Sequence, residues 1–464
     1  MITMSKTYTP ELAPEVLDRL EAYADVFRDD FSHKRQATWS GIYLQGLLHD
    51  GERKSIEPLS ARVTLPPGLD AKDPEQALQQ FVNQSPWDDQ VLAKRYRQHL
   101  AETFASPEGI FVFDDTSFPK QGSHSVGVQR QYCGALGKKA NCQVAPSVHY
   151  VGPAGYYPLA MRLFLPESWA EDEARLDEAG VPKVFRQAKA KGSIALELLD
   201  TVRGEGLPGW LALADAGYGV SEDFRTGLAS RGLKYIVGVT DEMVVFTEEP
   251  RWDPPSAGTG GRPRKRHRLA ESSPRPASLK ALAERTRFRK VTWREGTKGK
   301  LSGHFAWLRV WPGGGWATGE CAGAEPVWLL IERQADGKLK YAFSNLPLAT
   351  TRLRAVRLWK TRWPVEQGYQ QMKEELGLAH FEGRSWRGFH HHVCLVMMAY
   401  GFLALEQLRA KRDPAEPGKK GVPSRRSPSR RSVAPCSGCL ARGRGRIVRT
   451  ATHVLIAGSK GWKF

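Results

Sequence analysis

Two apolar segments that run directly into aspartate constrain the fold of this chain more than any other feature of its sequence. Residues 109–115 read Gly-Ile-Phe-Val-Phe-Asp-Asp, and residues 209–215 read Gly-Trp-Leu-Ala-Leu-Ala-Asp. A short apolar run bounded by a polar turn is typical of a strand that is buried on both faces. The repeated pattern therefore predicts two strands of one sheet, each of which ends at an acidic side chain.

The segments around these two strands predict a mixed α/β fold. Strand-like segments joined by glycine-containing turns follow the first aspartates and predict an antiparallel meander. Helix-like and strand-like segments then alternate through the second aspartate, which predicts a mixed sheet with helices on its faces. Further strands are predicted at 125–132, 141–151, 156–165 and 234–239, and helices at 182–199 and 221–230.

Composition divides the remainder of the chain. Apolar residues three and four positions apart predict an N-terminal helical domain, in which Ser85 caps a helix that begins at Pro86. Such a domain suits DNA binding, and it equally suits packing or dimerisation. The expected parts are a helical domain (1–106), the first part of the core (107–239), a β-rich insertion with a basic loop (240–349), helices that complete the core (350–411) and a basic, disordered tail (412–464).

The net charge of +18 indicates a polyanionic partner, most often nucleic acid, although much of this charge lies in the tail, and a solvated tail alone does not establish such a partner. Six cysteines in a chain of this length do not form a disulfide framework, and the four scattered ones, Cys133, Cys142, Cys321 and Cys394, suit a reducing cytosol. The longest apolar run, 393–405, is shorter than the roughly 20 residues that cross a bilayer. We therefore expect a buried core helix and no membrane association.

A third acidic segment lies far downstream, where Arg362, Glu366 and Lys373 surround the start of a helix predicted to begin at Pro364. Together with an acid of the first segment and Asp215, Glu366 could hold divalent cations that activate phosphoryl transfer. The ordinary alternative is that the aspartates are turn residues and that the third segment is a surface ladder of ion pairs.

At these residues the chain resembles the DDE-type insertion-sequence transposases. One subgroup carries a Tyr-Arg-Glu-Lys signature with two, three and six residues between its members. Arg362, Glu366 and Lys373 match with the same gaps, and Trp359 stands in place of the tyrosine. Segments similar to the DDE superfamily endonucleases, a branch of this family, are found at 114–122, 125–132, 141–143, 214–219 and 357–391.

The resemblance implies an RNase H-like core with a mixed five-stranded sheet. It implies that Asp114, Asp215 and Glu366 are the catalytic and metal-binding residues. Relatives read Asp-x-Thr, which favours Asp114, and Asp115 is the alternative. Two Mg²⁺ ions are expected, with Mn²⁺ as a substitute. The expected contacts to DNA phosphates are Arg362, Lys373, Trp359, Lys120 and Arg130.

The implied activity is metal-dependent cleavage of DNA at transposon ends, followed by strand transfer into target DNA. The implied partners are double-stranded DNA, as terminal inverted repeats and as target, and a second copy of the chain that forms a homodimer on DNA. The expected location is the bacterial cytoplasm, in association with the nucleoid. The alternatives are a catalytically defective remnant that still binds transposon ends, and a structure-specific nuclease.

Overall fold

The N-terminal part of the protein is helical, as its periodicity predicts. The computed structural model describes residues 14–255, 264–296 and 299–412. Apolar residues of these helices, such as Tyr43, Leu78 and Leu92, belong to one continuous core that also includes the sheet. The helices are α1 (Pro14–Asp25), α2 (Lys34–Leu48), α3 (Ile56–Ser60), α4 (Pro74–Asn83) and α5 (Asp89–Phe104).

The start of α5 corrects the prediction that Ser85 caps this helix. Asp88 is the cap, and its carboxylate accepts a hydrogen bond from the backbone N–H of Gln90 at 2.8 Å. The preceding segment is not helical, and there the buried Trp87 donates its indole N–H to the carbonyl of Phe81. An ionised cap also interacts favourably with the helix dipole.

The core sheet has the mixed five-stranded arrangement expected of an RNase H-like fold. Its five strands are β1 (Ile110–Pro119), β3 (Lys138–Gly152), β4 (Gly155–Met161), β5 (Leu211–Ala214) and β6 (Lys234–Val239), and a short additional strand is β2 (Gln129–Cys133). The order is β4–β3–β1–β5–β6, with β3 antiparallel to β1 and β4, and with β5 parallel to β1 and β6. The short β2 pairs with the remaining part of β3. The predicted α/β core is thus confirmed.

Helices pack around this sheet, and one of them starts later than predicted. These helices are α6 (Glu167–Ala170), α7 (Glu173–Glu178), α8 (Lys191–Gly204), α9 (Ala216–Gly219) and α10 (Glu222–Ser230). The predicted helix over 182–199 begins only at Lys191. The preceding segment has only a short 3-10 turn (Lys183–Phe185), and Arg186 fixes it there because its side chain donates to the carbonyl of Val181 and pairs with Glu173 and Asp177.

The β-rich segment continues the core sheet. Its elements are β7 (Val244–Phe246), β8 (Trp252–Asp253), β9 (Arg268–Leu269), β10 (Ala277–Ser278), α11 (Leu279–Glu284), β11 (Arg289–Gly296), β12 (Gly299–Pro312), β13 (Val327–Arg333) and β14 (Leu339–Ser344). β14 pairs antiparallel with β6, with Tyr341 opposite Val239. Twelve of the described strands therefore form one sheet, and β8 pairs with β9 in a separate sheet of two. Part of the predicted basic loop, residues 256–263, lies outside the described residues.

The chain ends its described part in helices α12 (Arg352–Lys360), α13 (Trp363–Glu374) and α14 (Trp386–Arg412). With 27 residues, α14 is long and apolar enough to cross a membrane by length and composition, yet most of its apolar part is buried within the protein. It packs against β4 and against α2, α4 and α5, which confirms the predicted core helix. The predicted disordered tail beyond Arg412 lies outside the described residues.

A substitution at Gly219, the last residue of α9, tests how closely this helix must approach the sheet. A Cβ at this position would lie 2.0 Å from the carbonyl oxygen of Gly238 in β6. We expect Gly219→Ala to push α9 away from β6 and to destabilise the fold by about 1–3 kcal/mol, measured by thermal unfolding. Gly204→Ala is the control, because a Cβ there meets no atom within 4 Å in the described part. Equal melting temperatures for the two variants would contradict this account.

Candidate active site

Two of the three candidate acids lie together where β5 ends. The parallel pairing of β1 with β5 stops at Phe113 and Ala214, whereas the pairing of β1 with β3 continues to Pro119. The sequence predicts that β1 ends at Asp114. In the structure β1 continues past this residue, and only its pairing with β5 stops there. Asp215 follows Ala214 directly and caps α9, where its carboxylate accepts from the backbone N–H of Gly217 at 2.9 Å.

The third candidate acid, Glu366, is linked to Asp114 by Arg362. Helix α13 begins at Trp363, one residue before the predicted Pro364, and Arg362 stands at its cap position. The guanidinium of Arg362 lies 2.9 Å from the Glu366 carboxylate and 3.7 Å from the Asp114 carboxylate. Arg362 thus bridges β1 and the first turn of α13.

Burial makes the two aspartates hard to ionise. The pKa of the Asp114 carboxyl is raised to about 7, chiefly by burial and further by the nearby Asp215, although Arg362 opposes the change. Burial likewise raises the pKa of the Asp215 carboxyl, again against the effect of Arg362. Each pKa rises because an ionised carboxylate loses hydration in the protein interior. The site therefore places two carboxyl groups with raised pKa values beside one guanidinium.

Asp115 has a partner of its own. Its carboxylate pairs with the ammonium of Lys191, the first residue of α8. Asp115 is still close enough to Asp215 to raise the pKa of that carboxyl. Of the two neighbouring aspartates, Asp114 is the one that shares Arg362 with Glu366.

The donor set fits a hard divalent cation in its chemistry. Carboxylate oxygens are the ligands that Mg²⁺ and Mn²⁺ prefer, and a bound cation would offset the loss of hydration that raises both pKa values. Within the described ranges, no three acidic, His or Cys side chains lie close enough together to form a metal site. The Glu366 side chain is half exposed and is held by Arg362, so the three acids surround the site without closing on it.

The residues predicted to contact DNA phosphates differ in their positions relative to the acids. Lys373 donates to the carbonyl of Ser117 at 3.2 Å. Burial lowers the pKa of its ammonium, and Asp114 and Asp115 oppose that change. Lys373 therefore lies beside the acids, on the helix that carries Glu366.

The remaining predicted contacts are farther from the acids or turned inward. Arg130 is exposed on β2, and the ammonium of Lys120 donates to the carbonyl of Phe381 at 2.8 Å. Trp359 is buried, and its indole N–H donates to Glu332 at 3.3 Å. Its ring lies 5.8 Å from the Arg362 guanidinium, so it supports Arg362 by a cation–π contact and does not face the solvent.

The sequence analysis missed several residues that surround Asp114. The hydroxyl of Tyr218 donates to the Asp114 carbonyl at 3.2 Å, and Ser147 Oγ lies 3.3 Å from the same oxygen. The hydroxyl of Tyr369 in turn contacts Ser147 Oγ. The spacing was available as a signal, because Tyr218 follows Asp215 by three positions and Tyr369 follows Glu366 by three, the separation of neighbours on one helix face.

An RNase H-like sheet with one acid, Asp215, directly after β5 and another, Asp114, on the neighbouring β1 defines a nuclease-type site. In agreement, the family model described as DDE superfamily endonuclease matches residues 26–300, more than half of the chain. The protein therefore belongs to the DDE superfamily endonucleases. This match includes Asp114 and Asp215 and ends before α13. Membership implies dependence on a divalent metal.

A similar protein is known from Microchaete diplosiphon, where it is described as a probable transposase for insertion sequence element IS701. The two sequences are 30% identical over 237 residues, which is 51% of this chain and 57% of the relative. The match thus spans little more than half the length of that relative.

The raised pKa of Asp114 predicts how stability depends on pH. A carboxyl whose pKa is higher in the folded than in the unfolded state costs stability as the pH rises from about 4 to about 7 and no more above that. Asp114→Asn removes this cost. Without divalent metal, we expect the variant to exceed the wild type in stability by roughly 1–3 kcal/mol at pH 8 and to match it near pH 4.

Thermal unfolding of both proteins across this pH range measures the difference. Asp336→Asn is a suitable control, because that residue is exposed on the surface and its carboxyl pKa is lowered by the hydrogen bonds that it accepts from Lys338. A stability difference between the wild type and Asp114→Asn that stays constant from pH 4 to pH 8 would contradict the raised pKa.

Proposed function

We propose that this protein is a DNA transposase that cleaves DNA at transposon ends and transfers the freed strand into target DNA. The observation that carries the proposal is the convergence of Asp114, Asp215 and the Arg362–Glu366 pair at one end of an RNase H-like sheet. The similarity to a protein described as a probable transposase supports the same reading.

In this proposal Asp114, Asp215 and Glu366 bind two Mg²⁺ ions, for which Mn²⁺ can substitute. When bound, the ions supply an activated oxygen nucleophile and stabilise the leaving oxygen. Asp114 is the preferred ligand of the first pair because it faces Arg362, whereas Asp115 is paired with Lys191. Asp115 remains the alternative ligand.

The reaction has two displacements at phosphorus. In the first, water attacks a phosphodiester at the transposon end, the P–O3′ bond breaks, and a 3′-hydroxyl and a 5′-phosphate result. In the second, that 3′-hydroxyl attacks a phosphodiester of the target, so that one phosphodiester bond forms as another breaks. In each displacement the proton of the nucleophile passes to water, and the leaving oxygen takes up a proton from water.

Arg362 and Lys373 are the proposed phosphate contacts nearest the acids. A phosphate competes for the same guanidinium that holds Asp114 and Glu366, because Arg binds phosphate and carboxylate in the same fork geometry. DNA binding would thus release both carboxylates for the metal ions. Lys120 and Arg130 lie farther from the acids and would bind neighbouring phosphates.

The proposed partners extend beyond the cleavage site. The helical N-terminal part is the proposed binding domain for the terminal inverted repeats, and the β-rich segment would cover the transposon end, since it continues the same sheet from β6. Two copies of the chain would act as a homodimer on DNA. The proposed location is the bacterial cytoplasm, at the nucleoid.

A supercoiled plasmid that carries the DNA flanking this gene tests the proposal. With Mg²⁺, we expect the wild type to nick the plasmid at the boundaries of inverted repeats and to form joined products with target DNA. Asp215→Asn and Glu366→Gln should cut more than about 100-fold more slowly, because each lacks a metal-binding carboxylate. The matched control is Glu374→Gln, an exposed residue on the same helix as Glu366.

Other outcomes favour the alternatives. Binding to the repeats without any cut by the wild type would indicate a catalytically defective remnant. Cuts without joined products would indicate a structure-specific nuclease. Full activity of Asp215→Asn would show that the acids are assigned wrongly.

A further inference from the structure

A chain of buried hydroxyl groups connects the segments that carry the three candidate acids. Tyr218 lies on α9, three positions after Asp215, and Tyr369 lies on α13, three positions after Glu366. Both tyrosine side chains are buried, with 2% and 8% of their surface exposed. Each therefore extends from an acid-bearing helix into the protein rather than toward the solvent.

Both hydroxyls converge on the main chain of the remaining acid. Tyr218 donates directly to the carbonyl oxygen of Asp114 at 3.2 Å. Tyr369 contacts Ser147 Oγ, and Ser147 donates to the same carbonyl oxygen at 3.3 Å. β5 has ended one residue earlier, at the level of Phe113. Side-chain hydroxyls thus bind the backbone of β1 just beyond the point where its pairing with β5 stops.

The donor and acceptor role of each group in this network follows from its contacts and its burial. Ser147 has one hydroxyl proton, which it gives to the Asp114 carbonyl, so its remaining contacts must donate to it. Burial raises the pKa of Tyr369 and of Tyr218 well above the usual range, so both phenols keep their protons. His149 Nε2 lies 2.8 Å from Ser147 Oγ, and burial lowers the pKa of this imidazole to about 3. With the Ser147 proton assigned to the Asp114 carbonyl, neutral His149 is assigned its proton at Nε2.

We propose that Tyr218 and Tyr369 are positioning residues that orient Asp114 relative to Asp215 and Glu366 for metal binding. Neither hydroxyl touches a candidate carboxylate, and both act through the backbone of β1. The inference rests on the proposed function in so far as the three acids bind metal. It adds that the geometry of the acids depends on two phenolic protons.

Removal of either hydroxyl by Tyr218→Phe or Tyr369→Phe tests the inference, since both rings remain. We expect each variant of the full chain to bind Mn²⁺ about 10-fold more weakly, as measured without DNA by the electron paramagnetic resonance signal of free Mn²⁺. The Mn²⁺ concentration for half-maximal nicking of the plasmid should rise by the same factor. Metal-free binding of the repeat DNA should not change, because no phosphate contact is lost.

Tyr157→Phe is the matched control. Tyr157 is buried on β4, and its hydroxyl meets no hydrogen-bond partner among the described residues. If both Tyr218→Phe and Tyr369→Phe bound Mn²⁺ as tightly as Tyr157→Phe, the inference would be wrong. Two independent variants guard against the misfolding of one, and melting temperatures identify that case.

The result separates this inference from the proposed function. A wild type that binds Mn²⁺ but does not cut the plasmid contradicts the transposase proposal, and the Mn²⁺ titration of the phenylalanine variants still decides the role of the hydroxyls. A wild type that binds no Mn²⁺ would overturn both.

Discussion

Burial of two carboxylates at the end of β5 is the constraint on which the rest of the site depends. Asp114 and Asp215 lose hydration there, and their pKa values rise accordingly. Arg362 is the cation that offsets part of this cost, and it stands at the cap position of α13, far along the chain. Because an unpaired buried charge is costly, the position of α13 against the sheet and the ionisation of the acids are coupled.

Neutral hydroxyl groups bind the backbone at the same site. Ser147 and Tyr218 bind the carbonyl of Asp114, while Arg362 binds its carboxylate. Charged contacts can exchange with a phosphate or a metal ion, whereas the buried hydroxyl contacts have no competing partner in solution. The site thus combines a fixed backbone with an ion pair that can be replaced, which is what a nuclease that must bind DNA and metal together requires.

Much of this could be predicted from the sequence. Apolar runs that end at acids, and the spacing from Arg362 through Glu366 to Lys373, are local patterns. They indicated an α/β core, and the family resemblance that they carry implied an RNase H-like fold, which the structure and the family match bear out. The starts of α5 and α8 were predicted wrongly, because caps are decided by competition among nearby polar groups and by packing, as at Trp87. The continuation of the sheet through β14 was not predicted, because the edge of β6 does not encode its partner.

The sequence by itself indicated the candidate acids and the segments that carry them, because apolar runs that reach an acid and the spacing from Arg362 to Lys373 are local patterns. Only the tertiary structure decided which charges meet: Asp114 with Arg362, and Asp115 with Lys191. It also turned Trp359 inward toward Glu332 and brought two tyrosines to the backbone of Asp114. The physical reason is that burial and pairing depend on groups that are distant along the chain, whereas periodicity depends only on neighbours.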